Sequence, residues 1–195
     1  MNILSSKTLL KKGYAFLQPL AELERNKFYE EIQKLNQNQS YSEINEIGIN
    51  IMEQLGLSIS QLSDLHKEIY NLEPDKNSFY FISRVVKQGK ESEAYRMHFD
   101  SHRFTIVVPL KIPQKHEHSG DLIYFPNIKK ESKSNIVNMI FKVFFKIFAF
   151  KMGAKILLSL FDYKLNNFQD YRPLIFLGRT TLHGNMPVSK DADSE

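Results

Sequence analysis

The sequence predicts an α+β domain in which helices come first and antiparallel strands follow. Three observations predict it. Residues 1–77 carry apolar side chains mainly at helical spacing. Residues 78–127 and 173–190 break into short apolar or β-branched runs set apart by Gly and Pro. Between these two strand groups, a dense apolar insert at 130–168 returns to helical spacing. At 195 residues the chain fits a single domain, 1–195, large enough to bury a core without covalent staples.

The elements follow in order. Gly13-Tyr-Ala-Phe-Leu17 reads as a short entry strand, and Pro19 opens a charged amphipathic helix that runs to about Leu35. Polar Asn36 to Ser40 interrupts it. A second helix is expected from Ser42 to Leu55, stopped by Gly56, and a third from Ser60 to Leu72, stopped near Pro74. The period then changes. Phe79–Lys87, Ala94–Asp100, Arg103–Ile112 and Asp121–Phe125 read as strands, separated by Gly89, by Pro113 to Gly120 and by Pro126-Asn127. Pro173 to His183 supplies another strand, or two that bend at Gly178, and Met186 to Ser189 a last short one.

In the insert, Asn135 to Leu165 is apolar except at Asn138, Lys142, Lys146, Lys151, Lys155 and Ser159, which draw one narrow basic stripe along a helix. A membrane span is not expected, because four lysines would lie in hydrocarbon. Two readings stay open. The insert is a helical hairpin, broken near Gly153, that packs on the strands or on a second subunit as a homo-oligomer; or it is an interfacial helix on anionic lipid.

Composition narrows the chemistry. With no Cys, thiolate metal sites and disulfides are excluded, so any metal must use His and carboxylate. The net charge of +4 comes from cations interleaved with acids over most of the chain, which predicts a solvated surface and no nucleic-acid partner. The first residues lack the apolar run of a signal peptide, so a cytoplasmic protein is expected, peripheral to a membrane if the insert lies on lipid.

Two short stretches carry metal chemistry: Tyr95-Arg-Met-His98-Phe-Asp100 and Leu182-His183-Gly184-Asn185. Residues two apart on a strand point to the same side, so His98 and Asp100 share a face. The similar pair His66-Lys67-Glu68 lies where Leu62, Leu65, Ile69 and Leu72 recur at helical spacing, and residues two apart on a helix diverge. Joined by His183, His98 and Asp100 would present two imidazoles and one carboxylate to one face of an iron ion and leave its other positions open. His102, in a turn, and His116 and His118, in a polar loop, read as solvated.

The order of these motifs, Gly13-Tyr14-x-x-Leu17, then His98-x-Asp100, then Gly120-Asp-Leu-Ile-Tyr-Phe-Pro126, then Leu182-His183-Gly184-Asn185-Met-Pro-Val-Ser189, resembles the Fe(II)/2-oxoglutarate-dependent dioxygenases, most nearly the phytanoyl-CoA hydroxylase-like group. The similarity spans residues 13 to 189. It implies a double-stranded β-helix (jelly-roll, cupin-like) with N-terminal helices and a helical insert. It also implies Fe(II) held by His98, Asp100 and His183, 2-oxoglutarate and O2 as cosubstrates, and hydroxylation of a small-molecule or lipid-like substrate with release of succinate and CO2.

The sequence departs from the family at one point. An Arg beyond the second His, which holds the distal carboxylate of 2-oxoglutarate, has no counterpart before the sequence stops at Asp191-Ala-Asp-Ser-Glu195. A dicarboxylate needs a fixed cation. Strand alternation puts Arg179 and Thr181 on the face of His183, and Arg96 on the face of His98 and Asp100. Arg179 is therefore the first expected substitute, Arg96 the second and Lys190 the third; in the plainer reading all three are surface cations. The alternative function is a non-catalytic double-stranded β-helix protein, or a truncated oxygenase, that binds a ligand or a membrane.

Overall fold

The computed structural model describes residues 4–35, 41–74, 79–86, 88–89, 94–113, 118–131, 135–146 and 151–190. In chain order they form α1 (Ser6–Lys12), β1 (Tyr14–Phe16), α2 (Glu22–Leu35), β2 (Tyr41–Glu43), α3 (Asn45–Gln54), α4 (Ile59–Tyr70), β3 (Ile82–Arg84), β4 (Phe104–Val107), β5 (Leu122–Phe125), α5 (Asn135–Lys146), α6 (Lys151–Leu160), β6 (Lys164–Asn166), β7 (Leu174–Leu177) and β8 (Leu182–Asn185). The strands make three small antiparallel sheets, ordered β1-β7-β4, β2-β3 and β6-β5-β8.

The run Leu-Ile-Phe-Leu of β7 has no polar side chain, so both of its faces must be covered. Ile175 and Leu177 face a cluster built from Leu9 of α1, Met52 of α3, and Leu62 and Leu65 of α4. Leu174 and Phe176 face the other way and pack on Leu122 and Tyr124 of β5. The opposite side of β5, Ile123 and Phe125, joins Leu182 of β8 against Phe145 of α5 and Ala154 and Leu157 of α6. The order through the molecule is thus helices, sheet, sheet, helices. Each fully buried side chain of this size contributes about 1.5–3 kcal/mol relative to exposure. A fourth cluster, Leu20, Phe28, Ile32, Ile44 and Ile51, seats α2 on α3.

Local signals set the helix ends. At α4, Ser58 accepts from the Gln61 amide and Gln61 accepts from the Ser58 amide, a reciprocal capping box, and Asn71 closes the helix in the left-handed region at φ 51°. The entry strand, the helix to Leu35 and the bend at Gly178 lie where the sequence puts them.

Five expectations need correction. The segment Ser6–Lys12 forms a helix that the sequence reading left out. Residues 41–43 are strand, so the helix expected from Ser42 starts at Asn45; β2 pairs with β3, and the strand expected at Phe79–Lys87 therefore stands apart from the two core sheets. Ala94–Asp100 is not a regular strand. Tyr95 takes φ 56° and its carbonyl accepts from the Met97 amide, a local turn that reduces the pairing with β8 to a bridge at His98 and one bond from the Tyr95 amide to the Asn185 carbonyl. Met186–Ser189 is irregular, although the carbonyls of Pro187 and Val188 accept from Gly120 and Gly89. In the insert, the helical spacing expected through Leu165 ends earlier: α6, which contains Gly153, stops at Leu160, and Leu165 belongs to β6, which pairs with the free side of β5.

Candidate metal centre

The site forms where two backbone segments exchange hydrogen bonds. His98 and His183 are a bridge pair: each amide donates to the other's carbonyl, at 2.9 and 3.0 Å. That pairing puts the two imidazoles side by side, with ring centroids 4.3 Å apart. Gly184 permits it, because a Cβ there would lie 2.7 Å from Met97 Sδ.

Asp100 is brought in by the loop that leads into β4. Its amide donates to the Gly178 carbonyl, and the Gly178 amide donates to the Arg103 carbonyl, which clamps the 100–103 loop to the turn joining β7 to β8. A Cβ at Gly178 would meet the His102 carbonyl at 2.6 Å and Asp100 Cβ at 2.9 Å, so only glycine lets the loop approach this closely. The result is a cluster in which one ligand atom from each of His98, Asp100 and His183 lies within 4.8 Å of the others. His98 Nε2 is 3.6 Å from Asp100 Oδ1, and His183 Nε2 is 3.6 Å from Asp100 Oδ2.

The hydrogen bonds of the rings fix which nitrogens are free. His98 Nδ1 donates to the Arg96 carbonyl at 2.7 Å, and His183 Nδ1 donates to the Thr181 carbonyl at 3.3 Å. Both Nε2 atoms therefore keep their lone pairs and turn them toward Asp100, as metal-ligating histidines do. The Thr105 hydroxyl donates to Asp100 Oδ2. His183 packs on the Phe176 ring, with centroids 4.7 Å apart, and burial pushes its pKa down to about 4 against the opposing pull of Asp100. It is thus a neutral imidazole near pH 7, the form that binds a metal. Nitrogen and oxygen ligands sit about 2.0–2.2 Å from a first-row ion, so donors 3.6 Å apart can share one. The donor set fits a metal ion.

The Arg179 guanidinium donates through Nε to the Ser101 carbonyl at 2.9 Å and pairs through Nη1 with Glu131 at 3.5 Å. Glu131 also accepts from Arg103 Nε at 3.2 Å, and Arg103 Nη1 donates to His66 Nε2 at 3.1 Å. His66, on α4, belongs to this half-buried network and not to the triad. Thr181 is fully buried, and its hydroxyl has no hydrogen-bond partner among the described residues. Arg96 is exposed; so is Lys190, whose stem runs beside Gly89. His102 is exposed and stacks on Tyr80, with centroids 5.9 Å apart. His118, expected to be solvated, pairs with buried Asp121 at 3.0 Å, while His116 lies outside the described residues.

Three residues escaped the sequence reading. Thr105 orients a ligand, Glu131 ties the two segments that carry the site, and the charge of Arg84 on β3 helps hold His183 neutral. A hydroxyl alternating with apolar residues in Phe-Thr-Ile-Val was the available signal for Thr105; for the other two there was none. No protein-family model matches this sequence, and a search of characterised proteins finds none significantly similar to it.

Proposed function

We propose that this chain is a non-haem Fe(II)/2-oxoglutarate-dependent oxygenase that hydroxylates a small-molecule or lipid-like substrate. The observation that carries this reading is the pair of Nε2 atoms, left free by two Nδ1–carbonyl hydrogen bonds and facing one carboxylate. Two His and one carboxylate with open positions suit Fe(II) and oxygen chemistry. When bound, the iron supplies activation of O2 coupled to oxidation of 2-oxoglutarate to succinate and CO2. The protein's own part is to orient and to exclude water. Thr105 holds Asp100, the two carbonyls hold the rings, and Phe176 shields His183. Two facing antiparallel sheets with the triad between them support a double-stranded β-helix as the parent architecture.

The distal carboxylate of 2-oxoglutarate needs a cation, and Arg179, Arg96 and Lys190 remain the proposed anchors, with the Thr181 hydroxyl as a neutral donor beside them. A second reading, a metal-binding relative that does not turn over 2-oxoglutarate, is favoured by the engagement of Arg179 with Glu131 and the Ser101 carbonyl.

One experiment separates the two. The purified chain is titrated anaerobically with Fe(II), then incubated with 2-oxoglutarate, ascorbate and O2, and succinate is measured. Stoichiometric iron binding and succinate release, both lost in His98→Ala, are expected. Iron binding without succinate selects the second reading, and no iron binding ends both.

A further inference from the structure

The insert presents a surface that the proposed oxygenase chemistry does not use. On α5, Ile136, Met139, Ile140 and Val143 recur at i, i+3, i+4 and i+7, so they form one stripe, and each is 58–66% exposed. On α6, Met152 and Leu160 are each 69% exposed. The two helices are held from behind. Phe145 meets Phe99 edge-on at 5.2 Å, and Ala154 and Leu157 are buried against β5 and β8. The apolar stripe is therefore a built outer face and not a misplaced core.

Its charge is one-sided. Residues 128–165 contain eight Lys and two acids, Glu131 and Asp162. Of these, Lys130 and Lys155 are exposed, as is Asp162, whereas Lys164 reaches over the Tyr14 ring on the other side of β5 and Glu131 is turned inward onto Arg103 and Arg179. The occupant must therefore be apolar at its centre and anionic at its rim.

A second copy of this chain fits poorly. A two-fold interface sets the same patch against itself, so lysines would face lysines. A protein partner fits less well, because protein interfaces are depleted in Lys and enriched in Arg, whereas this segment holds eight Lys and no Arg; its Phe and Met residues are common to both kinds of contact. Ile, Val, Met, Leu and Phe flanked by Lys, whose stems let the ammonium reach upward, is the composition of a helix lying in the plane of a bilayer surface. Length agrees: helices of 12 and 10 residues span about 18 and 15 Å, and no helix among the described residues is long and apolar enough to cross a membrane.

The geometry points to the outer face of α5 and α6 as a docking surface for an anionic phospholipid membrane, with the apolar stripe in the headgroup–acyl boundary and the lysines on the lipid phosphates. This goes beyond the oxygenase reading and does not rest on it. Phe99 and Met97 pack toward the insert, opposite His98 and Asp100, so the membrane face backs the metal centre.

The test is co-sedimentation of the full chain with phosphatidylcholine vesicles, with or without phosphatidylserine, in the presence of EDTA. Binding to the serine-containing vesicles, at least tenfold stronger than to neutral ones and weakened by 0.5 M salt, is expected. Ile140→Asp with Val143→Asp should lose it, since both positions are exposed and the variant keeps its core. Lys130→Gln and Lys155→Gln should each weaken it about fivefold; these surface changes serve if the first variant fails to fold. Three results overturn the proposal: no binding to either vesicle, equal binding to both, or a dimer in solution that Val143→Asp splits while vesicles bind nothing.

Discussion

The helices on the two outer layers carry similar apolar patterns and meet opposite fates. On α4, Leu62 and Leu65 are buried against the β7 sheet, a capping box starts the helix and a left-handed Asn ends it. On α5, the stripe of Ile136, Met139, Ile140 and Val143 faces outward, and Phe145 is the anchor. Helix α6 lies between these extremes, with Leu157 inside and Met152 and Leu160 outside. Amphipathic spacing thus states that a helix has an apolar face; it does not state what covers that face.

Substitutions can break or sharpen this contrast. Leu65→Ala on α4 and Leu157→Ala on α6 should each destabilise the chain by about 2–5 kcal/mol in urea unfolding, because both side chains are enclosed; a small effect at Leu157 would show that α6 is only loosely seated. Ser58→Ala removes the acceptor for the Gln61 amide and should lower stability by about 1 kcal/mol, measured in the same way.

A smaller effect concerns pH. Burial, then Arg103 and Arg179, press the His66 pKa below its usual 6.5, while the Leu72 carbonyl and Glu131 oppose them and the Tyr70 ring packs against it at a tilt. The unfolded chain binds a proton at this residue before the folded chain does. Stability from His66 is therefore present above pH 6.5 and falls as pH drops from 6.5 toward the depressed value. Unfolding at pH 7.5 and 5.5 should show a smaller pH loss in His66→Gln than in the parent, with the remainder carried by His183, whose pKa is lowered as well. The smallest change is expected at Ile140→Ala, within about 0.5 kcal/mol. A loss comparable to Leu65→Ala would mean that α5 is packed after all.

The same contrast explains what could be read in advance. That His98 and Asp100 lie together was legible from their spacing of two in a β-rich context, and that His183 joins them was legible from the order of the motifs along the chain. The extent of the strands was not. Residues 95–97 look like strand, yet Tyr95 turns the backbone and leaves a single bridge. The strands β2, β3 and β6 have three residues each, too few to display alternation, and their partners lie tens of residues away. Arg179 shows the same limit. The expected alternation with His183 does not apply, because β8 begins at Leu182 and Arg179 lies in the turn before it; the carboxylate that holds it, Glu131, is 48 residues distant, and no local pattern announces a contact of that kind.

The triad also runs from inside to outside: His183 is 9% exposed, Asp100 21% and His98 46% at the side chain. For an ion at this site the gradient would set an order of approach: His98 and Asp100 are the ligands that solvent reaches, and His183 is the one that burial withholds.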